Sequence, residues 1–422
     1  MRRRTFLAGA AVAAGAAALA GRDRVAAAAT AAPATLPPPA QSGIDHIVLV
    51  MMENRSFDHF LGWLPGADGR QAGLTYTDRR GVPHGTHHLR TYQGCAHPDP
   101  DHSYEGGRVQ LNFGACDGWL RSGENDSYSI GYYRPADLPF YSRAVPYWTT
   151  FDRYFSATMA ETYPNRFYQH SAQSDRLHNS SAQANFPAIW DRLADAGVTG
   201  RYYYSDLPFL ALYGAKYQPI SRQYSDFLKD CAAGTLPAVS YVDPRFLDEG
   251  SGTSGDDHPH ADIRVGQDFL NRTYEAVKNS PNWPNTALII NYDEWGGFFD
   301  HVPPSVARDV HPELGLRGFR VPCLLISPRA RRGYVGHRVY DHTSILKMIE
   351  WRFGLPPLTV RDATARNLAE VLNFSGPPDL RAPTFAVPPF TGAPCPPEGF
   401  ADYEDWRALS IMAAAQGWPI AR

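Results

Sequence analysis

Ile44-Asp-His-Ile-Val-Leu-Val-Met-Met-Glu53-Asn54-Arg55-Ser56-Phe57-Asp58-His59 is the stretch whose reading decides the fold. An apolar run, Ile47 to Met52, ends abruptly in a carboxylate, an amide and a guanidinium. Its length and β-branched content suit a buried strand of a parallel sheet. In open α/β sheets the ligand crevice lies at the carboxyl ends of the strands. Glu53 and Asn54 therefore stand where chemistry is expected, and the rest of the chain is read for partners to them.

A second stretch repeats that logic. Ala287-Leu-Ile-Ile-Asn-Tyr-Asp293-Glu294-Trp295-Gly296-Gly297-Phe-Phe-Asp300-His301 is another buried-strand run ending in acids, followed by a glycine pair that permits a tight turn. If both strand ends converge, Glu53, Asp293 and Glu294 repel one another unless a cation sits among them. Oxygen donors of this kind suit one divalent metal ion, with Ca, Zn, Mn or Fe all open. Taken singly, each acidic pair is equally a helix cap or an ion pair.

Thr162-Tyr-Pro164-Asn-Arg166 carries a helix-start signal, a hydroxyl followed two positions on by proline. A hydroxyl there sits beside backbone N–H groups and the positive dipole end, a setting for an anion. Thr162 is the candidate nucleophile; the plain alternative is an N-cap. Arg166, one turn on, is assigned to the substrate as an oxyanion clamp, or else to the surface. Histidines recur after acids, at Asp101-His102, Asp257-His258, Asp300-His301 and Asp341-His342. Such groups can protonate a leaving oxygen.

The remaining chain bounds these readings. Among 422 residues, 40 basic side chains face 43 acidic ones, so no charge excess points to nucleic acid. Residues 1–32 read as a twin-arginine signal, with Arg2-Arg3-Arg4 ahead of Phe6-Leu7 and an Ala-rich stretch. Export to the cell envelope or beyond is expected. Residues 33–43 form a Pro-rich linker, 44–355 a catalytic domain with a loop-rich insertion at 73–131, and 356–422 a Pro-rich extension. The five cysteines cannot all pair; a Cys95–Cys116 bridge is expected in an oxidising compartment, with Cys323 a buried thiol. Helices are expected over 139–152, 165–173, 189–196, 225–233, 262–279, 342–353 and 403–416. Strands are expected over 198–204, 238–242, 286–292 and 321–327. Alternation of this kind implies a parallel sheet covered by helices.

Glu53-Asn54-Arg55-Ser56-Phe57-Asp58-His59 resembles the opening signature of the bacterial phospholipase C/acid phosphatase phosphoesterase family, within the alkaline-phosphatase superfamily. Thr162 to Arg166, Val239 to Pro244, His258-Pro259 with Asp262, Asp293 to Val302 and Asp341 to Ser344 match in the same order. The resemblance implies an α/β/α sandwich, alkaline-phosphatase-like, with a mostly parallel central sheet. It implies hydrolysis of phosphate esters through a phosphorylated Thr162, and a metal on Glu53, Asn54, Thr162, Asp293 and Glu294. It implies that His102, His258 and His301 contact the phosphoryl group or leaving oxygen. A phospholipid is the leading substrate, with transient contact to a membrane surface; Trp119, Tyr128 and Trp295 are candidates to cage a choline-like cation, and equally candidates for plain packing. The alternatives are an acid phosphatase on monoesters and an exported binding protein with a degenerate site.

Two departures stand out. Ala160-Glu161 replaces the usual Gly-Pro, bringing a negative charge close to an anion site, and His258-Pro259-His260 replaces His-Pro-Pro. The large C-terminal domains of longer phospholipases are also missing, which weakens an expectation of haemolytic attack. The Thr162-x-Pro164-x-Arg166 frame is similar to that of sulfatases, but threonine is not a precursor of formylglycine.

Overall fold

The computed structural model describes residues 35–247, 253–393, 395 and 406–420, so the expected export signal and the start of the linker lie outside the described residues. The His46–Met52 strand forms as read and is buried from Ile47 onward. It lies inside an eight-stranded sheet, flanked by Thr286–Tyr292 and Val239–Asp243, both parallel to it. Gly200–Tyr204 and Ser221–Gln223 continue one side in parallel. On the other side Cys323–Ile326 runs antiparallel, followed by Thr149–Phe151 and Tyr334–Gly336.

Helices cover both faces, as consecutive side chains on one strand show. Tyr202 meets His170 of the Thr162–Ser171 helix, with ring centroids 6.1 Å apart. Tyr203, pointing the other way, meets Phe227 of the Tyr224–Ala233 helix at 5.3 Å. Thr162–Ser171 packs beside His342–Phe353, and Tyr224–Ala233 beside Ile263–Lys278. This is the expected α/β/α sandwich with a mostly parallel sheet.

Local expectations fared unevenly. Thr286–Tyr292 and His342–Phe353 form over the residues expected. The helix expected over 139–152 does not form: a short helix Tyr141–Ala144 gives way to the strand Thr149–Phe151. Pro146 cannot continue a helix, and Thr149 and Thr150 pair with Leu325 and Leu324 instead. The insertion is less irregular than expected, with a hairpin of Thr75–Thr77 and Pro83–Gly85 and the helix Tyr104–Leu111.

The disulfide joins Cys95 to Cys395, not to Cys116; Cys116, Cys231 and Cys323 are buried thiols. Cys116 is taken up by an apolar cluster with Trp119 and Phe319, while Cys395 lies beside Cys95 and the His260 carbonyl, which spacing alone could not reveal. The Pro-rich extension packs along the body through Phe385, stacked on Tyr274 at 5.0 Å, and Trp283, whose Nε1 donates to the Leu380 carbonyl at 2.9 Å. Its helix Trp406–Ala415 seats Trp406 on Phe246 with centroids 4.4 Å apart.

Candidate active site

The register sets the site. Met52 lies opposite Tyr292, so the next residues, Glu53-Asn54 and Asp293-Glu294, leave the sheet side by side. The Asp293 amide donates back to the Met52 carbonyl at 3.1 Å. Asn54 adopts a left-handed φ of 62°, and its backbone N–H donates to Asp293 Oδ1 at 3.2 Å. Asparagine is one of the few non-glycine residues that take up this conformation readily. Gly296, at φ 63°, permits the approach: a Cβ there would sit 2.0 Å from the Asn54 carbonyl oxygen. A Cβ on Gly297 would meet the Pro100 backbone at 2.6 Å, so the glycine pair also admits the loop carrying His102.

Thr162 is the first residue of a helix whose ten residues are all buried, and Glu161 is its N-cap. The Thr162 hydroxyl donates to Asn54 Oδ1 at 3.3 Å. The extra charge of Glu161 is taken up locally: Oε1 accepts from His178 Nδ1 at 2.9 Å, and Oε2 accepts from the Asn179 amide. Asn179 Oδ1 in turn accepts the Tyr163 N–H at 2.7 Å.

Arg166, expected to contact the substrate or the solvent, is buried and engaged by the protein itself. Its guanidinium is committed to carboxylates: Glu53 Oε1 at 3.0 Å, Asp293 Oδ2 at 3.1 Å and Asp243 Oδ1 at 3.4 Å. Phe246 lies under it, 4.5 Å from Cζ to centroid. Burial alone would lower its pKa, but Asp293, Glu53 and Asp243 raise it well above the ordinary value. Asp243, at the end of the Val239–Asp243 strand, escaped the sequence reading as a site residue; a strand-terminal Asp-Pro was its only signal. Burial pushes its carboxyl up while Arg166 and the Tyr202 hydroxyl hold it down.

The donor set fits a divalent cation. The carboxylates of Glu53, Asp293 and Asp243 converge on Arg166, and Glu294 follows in the chain, a concentration of buried negative charge that a divalent cation would offset. The Asn54 amide and Thr162 hydroxyl add neutral oxygens of the hard type. Glu294 is oriented through Oε2, which accepts the Gly296 N–H at 2.7 Å.

His102 lies beside these groups. Its Nδ1 donates to the Pro100 carbonyl at 2.7 Å, which leaves Nε2 as the acceptor facing Asn54 Nδ2 at 3.4 Å. His258 is 6.3 Å from it, ring to ring, and its Nε2 lies 3.4 Å from Asp99 Oδ2. Asp99, His102 and His258 form one of two groups among the described residues able to hold a metal. Burial pushes the Asp99 carboxyl up, but the neighbouring His258, His102 and His260 outweigh it and hold Asp99 far below the usual range. Asp99 was missed because the Asp-His pattern pointed to Asp101, whose oxygens accept from Ser103 and Ser122 instead.

His301 is not joined to that group by any hydrogen bond among the described residues. Its Nδ1 donates to Asp58 Oδ2 at 2.5 Å and its Nε2 to Asp68 Oδ1 at 3.1 Å, so both ring nitrogens are committed. Burial opposes protonation there, but Asp58 raises its pKa on balance. Arg320 completes this second cluster through Asp58 and Asp300, at 3.0 and 2.8 Å. It ties the two motif stretches together. Arg55 has a comparable duty, donating to the Asp257 and His258 carbonyls at 2.5 and 3.0 Å and so fixing the histidine loop.

The expected choline cage is not formed. Trp119 and Trp295 are fully buried in one apolar cluster, their indole N–H groups given to the Cys116 carbonyl and to Gln110. Tyr128 is equally buried and donates to the Pro259 carbonyl at 2.8 Å.

Strand-end oxygen donors, a helix-terminal hydroxyl and adjoining histidines thus come together at one end of an α/β sandwich. The chain belongs to the Phosphoesterase family, whose model matches residues 44–356, and it is a hydrolase of phosphoesters. It is similar to phospholipase C B of Mycobacterium tuberculosis, 33% identical over 442 residues, covering 84% of this chain and 82% of that one. It is also similar to non-specific phospholipase C6 of Arabidopsis thaliana, 31% identical over 392 residues, covering 81% and 75%. Among solved structures, a protein in the alkaline phosphatase superfamily from Vibrio parahaemolyticus gives a TM-score of 0.41 at 10% identity, covering 79% of this chain and 71% of that one.

Proposed function

We propose that the chain is an exported, metal-dependent phospholipase C that cleaves the head-group phosphodiester of a phospholipid through a phosphothreonine intermediate. The observation that carries this reading is the Thr162 hydroxyl, held 3.3 Å from Asn54 Oδ1 at the start of a buried helix. Glu53, Asn54, Thr162, Asp293 and Glu294 would hold the metal, which when bound favours the alkoxide of Thr162 and offsets charge on the phosphoryl oxygens.

The chain's own groups do the rest. Thr162 Oγ1 attacks phosphorus in line; the bond to the diacylglycerol oxygen breaks, and that oxygen takes a proton. Water then cleaves the Thr162–phosphorus bond and releases the phosphorylated head group. His102 and His258 border this site and are the groups able to move the proton. Helix N–H groups and the dipole end favour the added negative charge. Arg166 holds Glu53 and Asp293 in place. Export is supported by the Cys95–Cys395 disulfide, a bond of oxidising compartments.

Thr162→Ala is expected to lose turnover of nitrophenyl phosphocholine by at least about 1000-fold. Brief incubation of the wild-type chain with substrate, followed by acid quench and peptide mass analysis, should reveal phosphate on Thr162. Undiminished turnover in the variant would sink the assignment, and faster turnover of nitrophenyl phosphate than of the diester would favour a monoesterase.

A further inference from the structure

Phe113 stands out on the surface. Its relative exposure is 106%, and its φ is 55°, a left-handed conformation costly for a bulky side chain. It follows the helix Tyr104–Leu111 and is flanked by Asn112 and Gly114, also at positive φ. Val109, four residues earlier, is 43% exposed. Exposed as it is, Phe113 adds nothing to the core, and a bulky side chain held at a positive φ points to a use outside the fold.

The position of this tip is tied to the active site. The helix begins directly after His102, capped by Ser103, whose side chain accepts the Gly106 N–H at 3.0 Å. It rests closely on Trp295 and Met159: a Cβ on Gly107 would come within 2.9 Å and 2.5 Å of them. Eight residues at 1.5 Å each put Phe113 about 12 Å along the axis from the His102 loop. The loop after His301 flanks the same region. Its Leu316 carbonyl accepts the Met159 N–H at 3.0 Å, its Glu313 carbonyl accepts the Tyr104 hydroxyl at 3.2 Å, and it exposes Val306 at 71% and Val310 at 43%. Both segments leave motif histidines and border Met159 to Glu161, the approach to Thr162. A hairpin carrying the exposed Arg79 and Arg80 is fastened nearby, Arg79 Nε donating to the Arg121 carbonyl at 3.2 Å.

We infer that Phe113 and Val109, with Val306 and Val310, form an apolar rim that inserts into a lipid surface and brings the crevice down on its substrate. The inference rests on the phospholipase reading. A protein partner would be met by a broad, flat contact, whereas a single projecting aromatic on a rim that adjoins the catalytic crevice fits an acyl layer. Arg79 and Arg80 supply charges for lipid phosphates.

Phe113→Asn separates docking from folding, because asparagine tolerates a left-handed φ. In the inactive Thr162→Ala background, sedimentation with vesicles of equimolar phosphatidylcholine and phosphatidylglycerol should fall about tenfold or more on Phe113→Asn. Phe113→Trp should retain it. With Thr162 intact, the ratio of vesicle-lipid turnover to soluble nitrophenyl phosphocholine turnover should fall by a similar factor. Equal vesicle binding by the parent and Phe113→Asn would overturn the inference, as would a dimer that Phe113→Asn dissolves in a chain that ignores vesicles. If no phosphodiester is turned over, the phospholipase reading falls, while vesicle sedimentation still decides the docking surface.

Discussion

Single residues at this site act by restricting others. Arg166 was read as a clamp for substrate, yet three carboxylates engage it. Its charge keeps ligands together, and a buried arginine of that kind is scarcely available to an incoming anion. Asp257 shows the opposite economy. It is fully buried, accepts from the Tyr292 hydroxyl at 2.6 Å, and burial pushes its pKa up to about 7. A carboxyl raised in the folded state favours folding fully below about pH 4 and loses that advantage as pH rises through about 7. Asp257→Asn mimics the protonated form and tolerates the residue's left-handed φ of 78°. Relative to wild type it should gain roughly 2–4 kcal/mol between about pH 5 and about pH 8, read from urea midpoints. Parallel pH profiles would show that Asp257 does not titrate across folding.

At the scale of elements, two parallel strands and one helix make the site. Register places Asn54 beside Asp293, and the Thr162–Ser171 helix brings its hydroxyl to them. The C-terminal helix supports this arrangement from outside. Trp406 stacks on Phe246, which lies under the Arg166 guanidinium, and its ring lies 5.1 Å from that of Tyr163. Trp406→Ala should cost about 3–5 kcal/mol in denaturant unfolding and reduce turnover as Arg166 loosens. Loss of stability with turnover unchanged would show that the helix only covers the core.

The whole molecule is closed by a bond between residues 300 apart in sequence. Cys95–Cys395 anchors the Pro-rich extension to the chain just before Asp99 and His102. Cys395→Ser should lower stability by about 2–5 kcal/mol, and reductant should destabilise wild type but not the variant. A midpoint insensitive to reductant in wild type would argue that the bond is not formed in the protein as isolated.

Much of the site was legible in the sequence because its parts are local. Two buried-strand runs end in acids, a hydroxyl starts a helix, and a glycine pair marks a close approach. Those patterns led to Glu53, Asn54, Thr162, Asp293 and Glu294, which the fold brings to one end of the sheet, and to the sandwich itself. The 139–152 segment misled because its pairing with 323–326 outweighs its propensity. The partners of Arg166, Trp119, Trp295 and His301 were not legible, because residue type states what a side chain can do and not which neighbour claims it. Asp99 and Asp243 were missed for the same reason.

By itself the sequence determined which strands are buried, where chain polarity turns and which oxygen donors lie at each turn. These follow from hydrophobic burial and backbone geometry, which act over a few residues. Only tertiary structure decided that Cys95 pairs with Cys395, that Arg166 is held by carboxylates and His301 by Asp58 and Asp68, and that the indoles face inward. Those outcomes depend on distances between segments far apart in the chain, set by sheet register and by competition among buried charges for the nearest partner.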